Sequence, residues 1–281
     1  MNHIDRDPVR TRAKEDIKQL LDLWDARPMA EESIHQLRVC TKRLRAYLRV
    51  YPPATDISGA NQELKCLADS YASVRDAQVA FKTLNALIAD WPDKKRKKYR
   101  EVIDFIAHQK RSVEGGLTPR EPHEAFECIL LHWPSSESQE EPGGYTRDGL
   151  DRLYQKARQL GNKALQSDAD EPYHRWRKWV KYWLYCLTGL SRSKLPKGYK
   201  KRLKRLGDSL GVFHDICVLE QNLKNPDVYH EFGKQLKPFY KAMANEKKRM
   251  QKSYKKAHKK LFGLSCKERD RLLNGLASAE S

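Results

Sequence analysis

Two segments carry the residues best suited to chemistry. In HQLRVCTKRLRAYLR, His35, Arg38, Lys42, Arg45 and Arg49 recur at three- and four-residue intervals, and in HRWRKWVKYWLY, His174, Arg177 and Lys181 repeat the first part of that spacing. Wound as a helix at 100° per residue, the five residues of the first segment fall within an arc roughly 80° wide. That stripe lays cations along about 20 Å of helix, and guanidinium forks take phosphate oxygens in pairs. The spacing suits a linear chain of anions. Leu37, Cys40, Thr41, Leu44, Tyr47 and Leu48 occupy the opposite arc and are the expected core face, as are Trp176, Trp179, Val180, Trp183 and Leu187 in the second segment. Lysines and arginines that only solubilise a helix scatter around it, so two stripes in the same register point to binding.

Acidic residues follow each stripe. The helices that carry LADSYASVRDAQV and LGDSLGVFHDICV place Lys65, Asp69 and Asp76, then Lys204, Asp208 and Asp215, on one face. These carboxylates are expected to pair with Arg38, Lys42 or the histidines and hold them in place. A metal centre is the weaker reading, because no dense set of Asp, Glu and His ligands is visible. His214-Asp215 has the form of the HD dipeptide of metal-dependent phosphohydrolases, yet its counterpart is Arg75-Asp76, without a histidine. His35 and His174 stand among cations that would repel a metal ion. Nucleic-acid binding is less favoured because Trp176, Trp179 and Trp183 lie opposite the cations, where no base can stack on them.

The elements that carry these residues are most economically read as an internal duplication. Residues 35–79 laid over 174–218 at a constant offset of 139 give twelve identities, among them His35/His174, Arg38/Arg177, Lys42/Lys181, Lys65/Lys204, Asp69/Asp208 and Asp76/Asp215. About three would arise by chance at ordinary composition. Leu, Ala, Lys, Arg, Gln and Glu dominate the long segments with helical periodicity, which predicts an all-α fold. Prolines divide it into helices over 8–26, 32–51, 59–90, 93–114, 146–167, 172–190, 197–224 and 228–262, with a short helix within 121–132 and another after Ser265. The expected organisation is a four-helix bundle over 1–114, a polar linker over 115–144 and a second four-helix bundle over 145–281.

The whole chain of 281 residues has 55 Lys plus Arg against 37 Asp plus Glu, a net charge of +18, which draws in polyanions and lets them go in salt. Its longest apolar run, 179–190, falls short of the ~20 residues of a membrane span, so no membrane partner is expected. No secretory signal opens the chain, and the six cysteines show no paired spacing, so reduced thiols in the cytosol are the expectation. The lysine runs 94–98 and EKKRMQKSYKKAHKK from Glu246 accompany apolar ladders and read as solvated faces of amphipathic helices.

The repeated H-x-x-R-x-x-x-K and L-[AG]-D-S-x-x-x-x-D patterns resemble the CHAD family, the conserved histidine α-helical domains, over essentially the whole chain. The resemblance implies two four-helix bundles about a pseudo-twofold axis, forming one domain over 1–281. It further implies binding of inorganic polyphosphate in a basic groove between the bundles, association with polyphosphate granules, and neither catalysis nor a cofactor. The phosphate ligands it implies are His35, Arg38, Lys42, Arg45 and Arg49 with His174, Arg177 and Lys181. Lys65, Arg75, Lys204 and His214 are second choices, and Asp69, Asp76, Asp208 and Asp215 are orienting acids. Leu184 and Thr188 stand where Arg45 and Arg49 would repeat, so the two walls differ in strength. A nucleic-acid backbone and an enzyme acting on phosphate polymers are the alternatives.

Overall fold

A computed structural model describes residues 7–113, 120–134, 144–190 and 195–277, with the side chains of 72–78, 108–113, 144–145 and 275–277 excepted. Every regular element among the described residues is helical: α1 (Pro8–Ala26), α2 (Glu31–Leu48), α3 (Ser58–Ser70), α4 (Ala72–Leu87), α5 (Asp93–Lys98), α6 (Arg100–Val113), α7 (Pro122–Leu131), α8 (Gly144–Leu165), α9 (Asp170–Gly189), α10 (Tyr199–Leu223), α11 (Pro226–Phe232), α12 (Lys237–Phe262) and α13 (Cys266–Ala277). None of them is long and apolar enough to cross a membrane.

Local chemistry sets the starts. Asp7 caps α1 by accepting from the Val9 and Arg10 amides, with Pro8 in the first turn. Glu31 and Glu32 open α2, and Asp170 and Glu171 open α9, where negative charge meets the positive end of the helix dipole. Ala26 and Leu165 end α1 and α8, and Glu31 and Asp170 begin α2 and α9, with 139 residues separating the members of each pair.

Three expected helices are divided. The 59–90 segment breaks at Tyr71, whose buried ring meets Trp24 edge-on and whose hydroxyl donates to the Arg120 carbonyl. The 93–114 segment breaks at Tyr99, and 228–262 breaks at Gly233, where φ is 43°. Packing also departs from expectation. The α5–α6 segment, expected as the fourth helix of a first bundle, leads back onto α4, while α7 packs between α1 and α3. α7 is the short helix expected within 121–132. Pro122, Ala125, Phe126 and Ile129 on it are buried, so this part of 115–144 belongs to the core and is not a surface linker. The rest of that stretch lies mostly outside the described residues. In the other half, α8, α9, α10 and α12 pack in a closed ring, with α13 against α8.

The halves meet along α2 against α9 and α4 against α10. Close approach of α2 and α9 depends on Gly189, where a Cβ would stand 1.7 Å from the Tyr47 hydroxyl oxygen. Arg152 on α8 donates to the Val50 and Tyr51 carbonyls at 2.9 and 2.8 Å, tying the end of α2 to the other half.

Candidate functional site

The orientation of α2 is set from beneath. Leu37, Cys40, Thr41, Leu44, Tyr47 and Leu48 are all buried. Asp16 of α1, with a fully buried side chain, accepts from the Tyr47 hydroxyl at 2.8 Å and pairs with Arg12 at 2.7 Å and Arg43 at 2.9 Å. Two guanidinium groups and a phenol satisfy the carboxylate, which an unpaired buried charge would require. With that face pinned, His35, Arg38, Lys42, Arg45 and Arg49 turn outward, each half-buried.

The side chains of the stripe have local supports. Arg38 donates to the Ala68 carbonyl on α3 at 2.9 Å, and Arg45 Nε donates to Asn61 Oδ1 at 3.1 Å. Arg49 leaves the line: its guanidinium lies 4.6 Å from the ring centre of Tyr182 and 6.0 Å from that of Trp179, both on α9. Trp179 is therefore a correction to the expected apolar arc. Trp176 and Trp183 are wholly buried, whereas Trp179 is partly exposed between Arg49 and Lys156, on the wall of an open cavity of about 830 Å³.

On α9 and α10 the helices approach closely enough for cation stems to lie on glycine. Gly207 faces the Lys181 methylenes and Gly211 faces Arg177. Asp208 binds Lys181 at 2.8 Å and Lys204 at 2.7 Å. Partial burial raises its proton affinity, but those two hydrogen bonds prevail and hold it below the usual carboxylate range. Its counterpart Asp69 is exposed, as is Lys65. Asp215 is half-buried, and the side chains of Arg75 and Asp76 lie outside the described residues.

The two histidines of the second half meet. His174 Nδ1 and His214 Nδ1 are 2.8 Å apart, so one ring donates to the other and at least one Nδ1 is deprotonated. Burial, then Arg177, His174, Lys178 and Lys42, push the His214 pKa down to about 3. Burial and the charge of Lys178 likewise lower that of His174, against the pull of Glu171. Lys42 is on α2 and His214 on α10, so cations from both halves act on one point. Lys178 was missed in the sequence because its counterpart is Val39, although it adjoins the stripe; no comparable signal marks Lys156 or Arg152.

The family model for the CHAD domain matches residues 11–224. The chain belongs to the CHAD domain family. The crystal structure of the CHAD domain from the plant Ricinus communis is similar, with a TM-score of 0.51 at 20% identity, covering 98% of this chain and 91% of that one; at this identity the likeness concerns the fold. An uncharacterized protein of Mycobacterium tuberculosis (strain ATCC 25618 / H37Rv), Rv2226, is 27% identical over 223 residues, which are 72% of this chain and 43% of that protein. The chain thus spans less than half the length of that curated relative. Both stripes, the histidine pair and Asp208 lie inside the CHAD match, whereas α11, α12 and α13 follow it.

Proposed function

We propose that this CHAD domain holds inorganic polyphosphate without catalysis, in a basic groove between two related halves, and that it carries the protein to polyphosphate granules in the cytoplasm. The observation that carries the reading is the convergence of Lys42 from α2 with Arg177 and Lys178 from α9 on His214 of α10. Cations from both halves act on that one point, which favours a polyanion there. The family's link to polyphosphate and the +18 net charge support the same ligand. The shared 139-residue spacing of helix ends and of stripe residues supports a duplicated unit as the origin of the two walls.

The ligands are His35, Arg38, Lys42 and Arg45 on one wall and His174, Arg177 and Lys181 on the other, with Asp208 orienting Lys181. Binding is dominated by ion release and weakens steeply with salt. One observation favours a second reading: Trp179, partly exposed beside Arg49 and Lys156, offers a stacking platform that a nucleic-acid strand could use. Calorimetric titration with long-chain polyphosphate and with a single-stranded oligonucleotide of matched charge, at about 0.15 M salt, separates the two. Selective binding of polyphosphate is expected; equal or tighter binding of the oligonucleotide would give nucleic acid the site.

A further inference from the structure

Part of the lysine-rich run of α12 borders a cleft. Between α10 and α12 lies a cavity of about 450 Å³ lined by Arg202 and Arg205 from α10 and by Lys252, Lys256 and Lys260 from α12. Its floor is closed by Leu206, Tyr254 and Leu261, all at most 3% exposed, and Ser209 donates to the Tyr254 hydroxyl at 3.3 Å across the base. No carboxylate lines it, and no ion pair joins any of these five cations to a described residue. The contrast is with Lys181 and Lys204, which share the Asp208 carboxylate.

The repetition is costly for a helix that only needs to be soluble. Lys252, Lys256 and Lys260 are four residues apart, a spacing at which like charges repel and weaken the helix. Solvated faces relieve this with acids at intervening turns, yet α12 carries nine lysines and Arg249 against Glu246 alone. The row spans about 12 Å, with the α10 arginines facing it. On α10, Arg202, Arg205, Leu206 and Ser209 turn toward α12, while Lys204, Gly207, Asp208 and Gly211 lie on the roughly opposite side, toward α9.

We propose that the α10–α12 cleft is a second polyphosphate track, back to back with the first. The protein is then divalent for phosphate chains and bridges long ones. This rests on the proposed function for the identity of the ligand but on different residues for the site. Bridging of a polymer by a divalent binder produces networks, which is the physical requirement for gathering polyphosphate into granules.

The test counts bound chains of a short linear polyphosphate, too short to reach from one track to the other, by calorimetry, and follows turbidity with long-chain polyphosphate. Wild type is expected to take two short chains and to turn long-chain solutions turbid. Lys252→Glu with Lys256→Glu and Lys260→Glu is expected to take one and to abolish turbidity. Lys241→Glu with Lys248→Glu and Lys255→Glu, exposed on the same helix but outside the cleft, makes the same change of net charge and should behave as wild type. One chain on wild type, unaffected by the cleft variant and lost with Arg38→Ala and Arg177→Ala, would overturn the second track alone. One chain lost with the cleft variant would leave this track standing and remove the first.

Discussion

Removing Arg38 and Arg177 together is the most informative perturbation of the proposed groove. They occupy the same position in the two stripes, and both are half-buried. The fold loses the Arg38 bond to the Ala68 carbonyl, worth about 1.5 kcal/mol at the low end for a hydrogen bond made by a charged group. Binding loses more. A hydrogen bond to a charged group contributes about 1.5–3 kcal/mol, and the low end fits side chains that water still reaches. Two such losses come to about 3 kcal/mol, or roughly a hundredfold in dissociation constant. Two fewer phosphates neutralised should also flatten the dependence of log K on log salt by about 1.4. Calorimetric titration of Arg38→Ala with Arg177→Ala at several salt concentrations, with melting curves alongside, reads all three quantities. Arg100→Ala with Arg175→Ala, exposed and off the stripes, is the control for net charge. A folded double variant that keeps wild-type affinity and salt slope would refute the groove.

Three further outcomes follow from the geometry. Trp183→Ala should destabilise by about 3–5 kcal/mol in chemical denaturation, and Trp179→Ala by clearly less, because Trp183 is fully buried and Trp179 is not; equal losses would contradict the assigned exposure. Gly189→Ala should cost about 1–3 kcal/mol through the clash with Tyr47, which also anchors Asp16, so an unchanged melting temperature would mean that the α2–α9 contact is looser than described. The histidine pair gives a pH signature with a definite sign. His214 protonates near 3 when folded and at its ordinary 6.5 when unfolded, so its contribution to stability is complete above about 6.5 and fades as pH falls toward 3. A bound polyanion raises both histidine pKa values from these lowered positions, so polyphosphate binding should take up protons and tighten as pH falls below about 6.5. Titration in buffers of different ionisation enthalpy measures the uptake, and its persistence in His174→Gln with His214→Gln would assign it elsewhere.

Periodicity recovered what depends on one helix at a time. The six apolar positions of α2 are all buried, and the ends of α1, α2, α8 and α9 fall within a few residues of expectation. It failed where a partner decides. Cys40 and Trp179 stand at the same edge of their arcs, about 140° from the histidine. Cys40 meets the Asp16 carbonyl and is buried, whereas Trp179 meets Arg49 and Lys156 and stays partly open. The apolar ladder through Tyr71 reads as continuous, and its counterpart through Leu210 is continuous in α10. Tyr71 breaks because Trp24 and the Arg120 carbonyl, far away in sequence, hold it. Asp16 carries no motif at all; its importance appears only once Arg43 and Tyr47 of α2 close over it.

The same dependence on partners makes the two walls unequal in a way that residue identity only half reveals. Leu184, in place of a second Arg45, is buried, and Thr188, in place of a second Arg49, is exposed, which shortens the α9 stripe. The structure adds that Asp208 already occupies Lys181, while Asp69, its counterpart, is exposed and turned to water, which screens it. A phosphate arriving at the α9 wall must displace or share a carboxylate 2.8 Å from its cation. On the α2 wall, Arg38 donates to the Ala68 carbonyl and Arg45 to the Asn61 amide oxygen, neutral acceptors that orient a guanidinium. The α9–α10 side, with its shared histidine proton and its Lys–Asp–Lys bridge, is therefore the side expected to respond to pH.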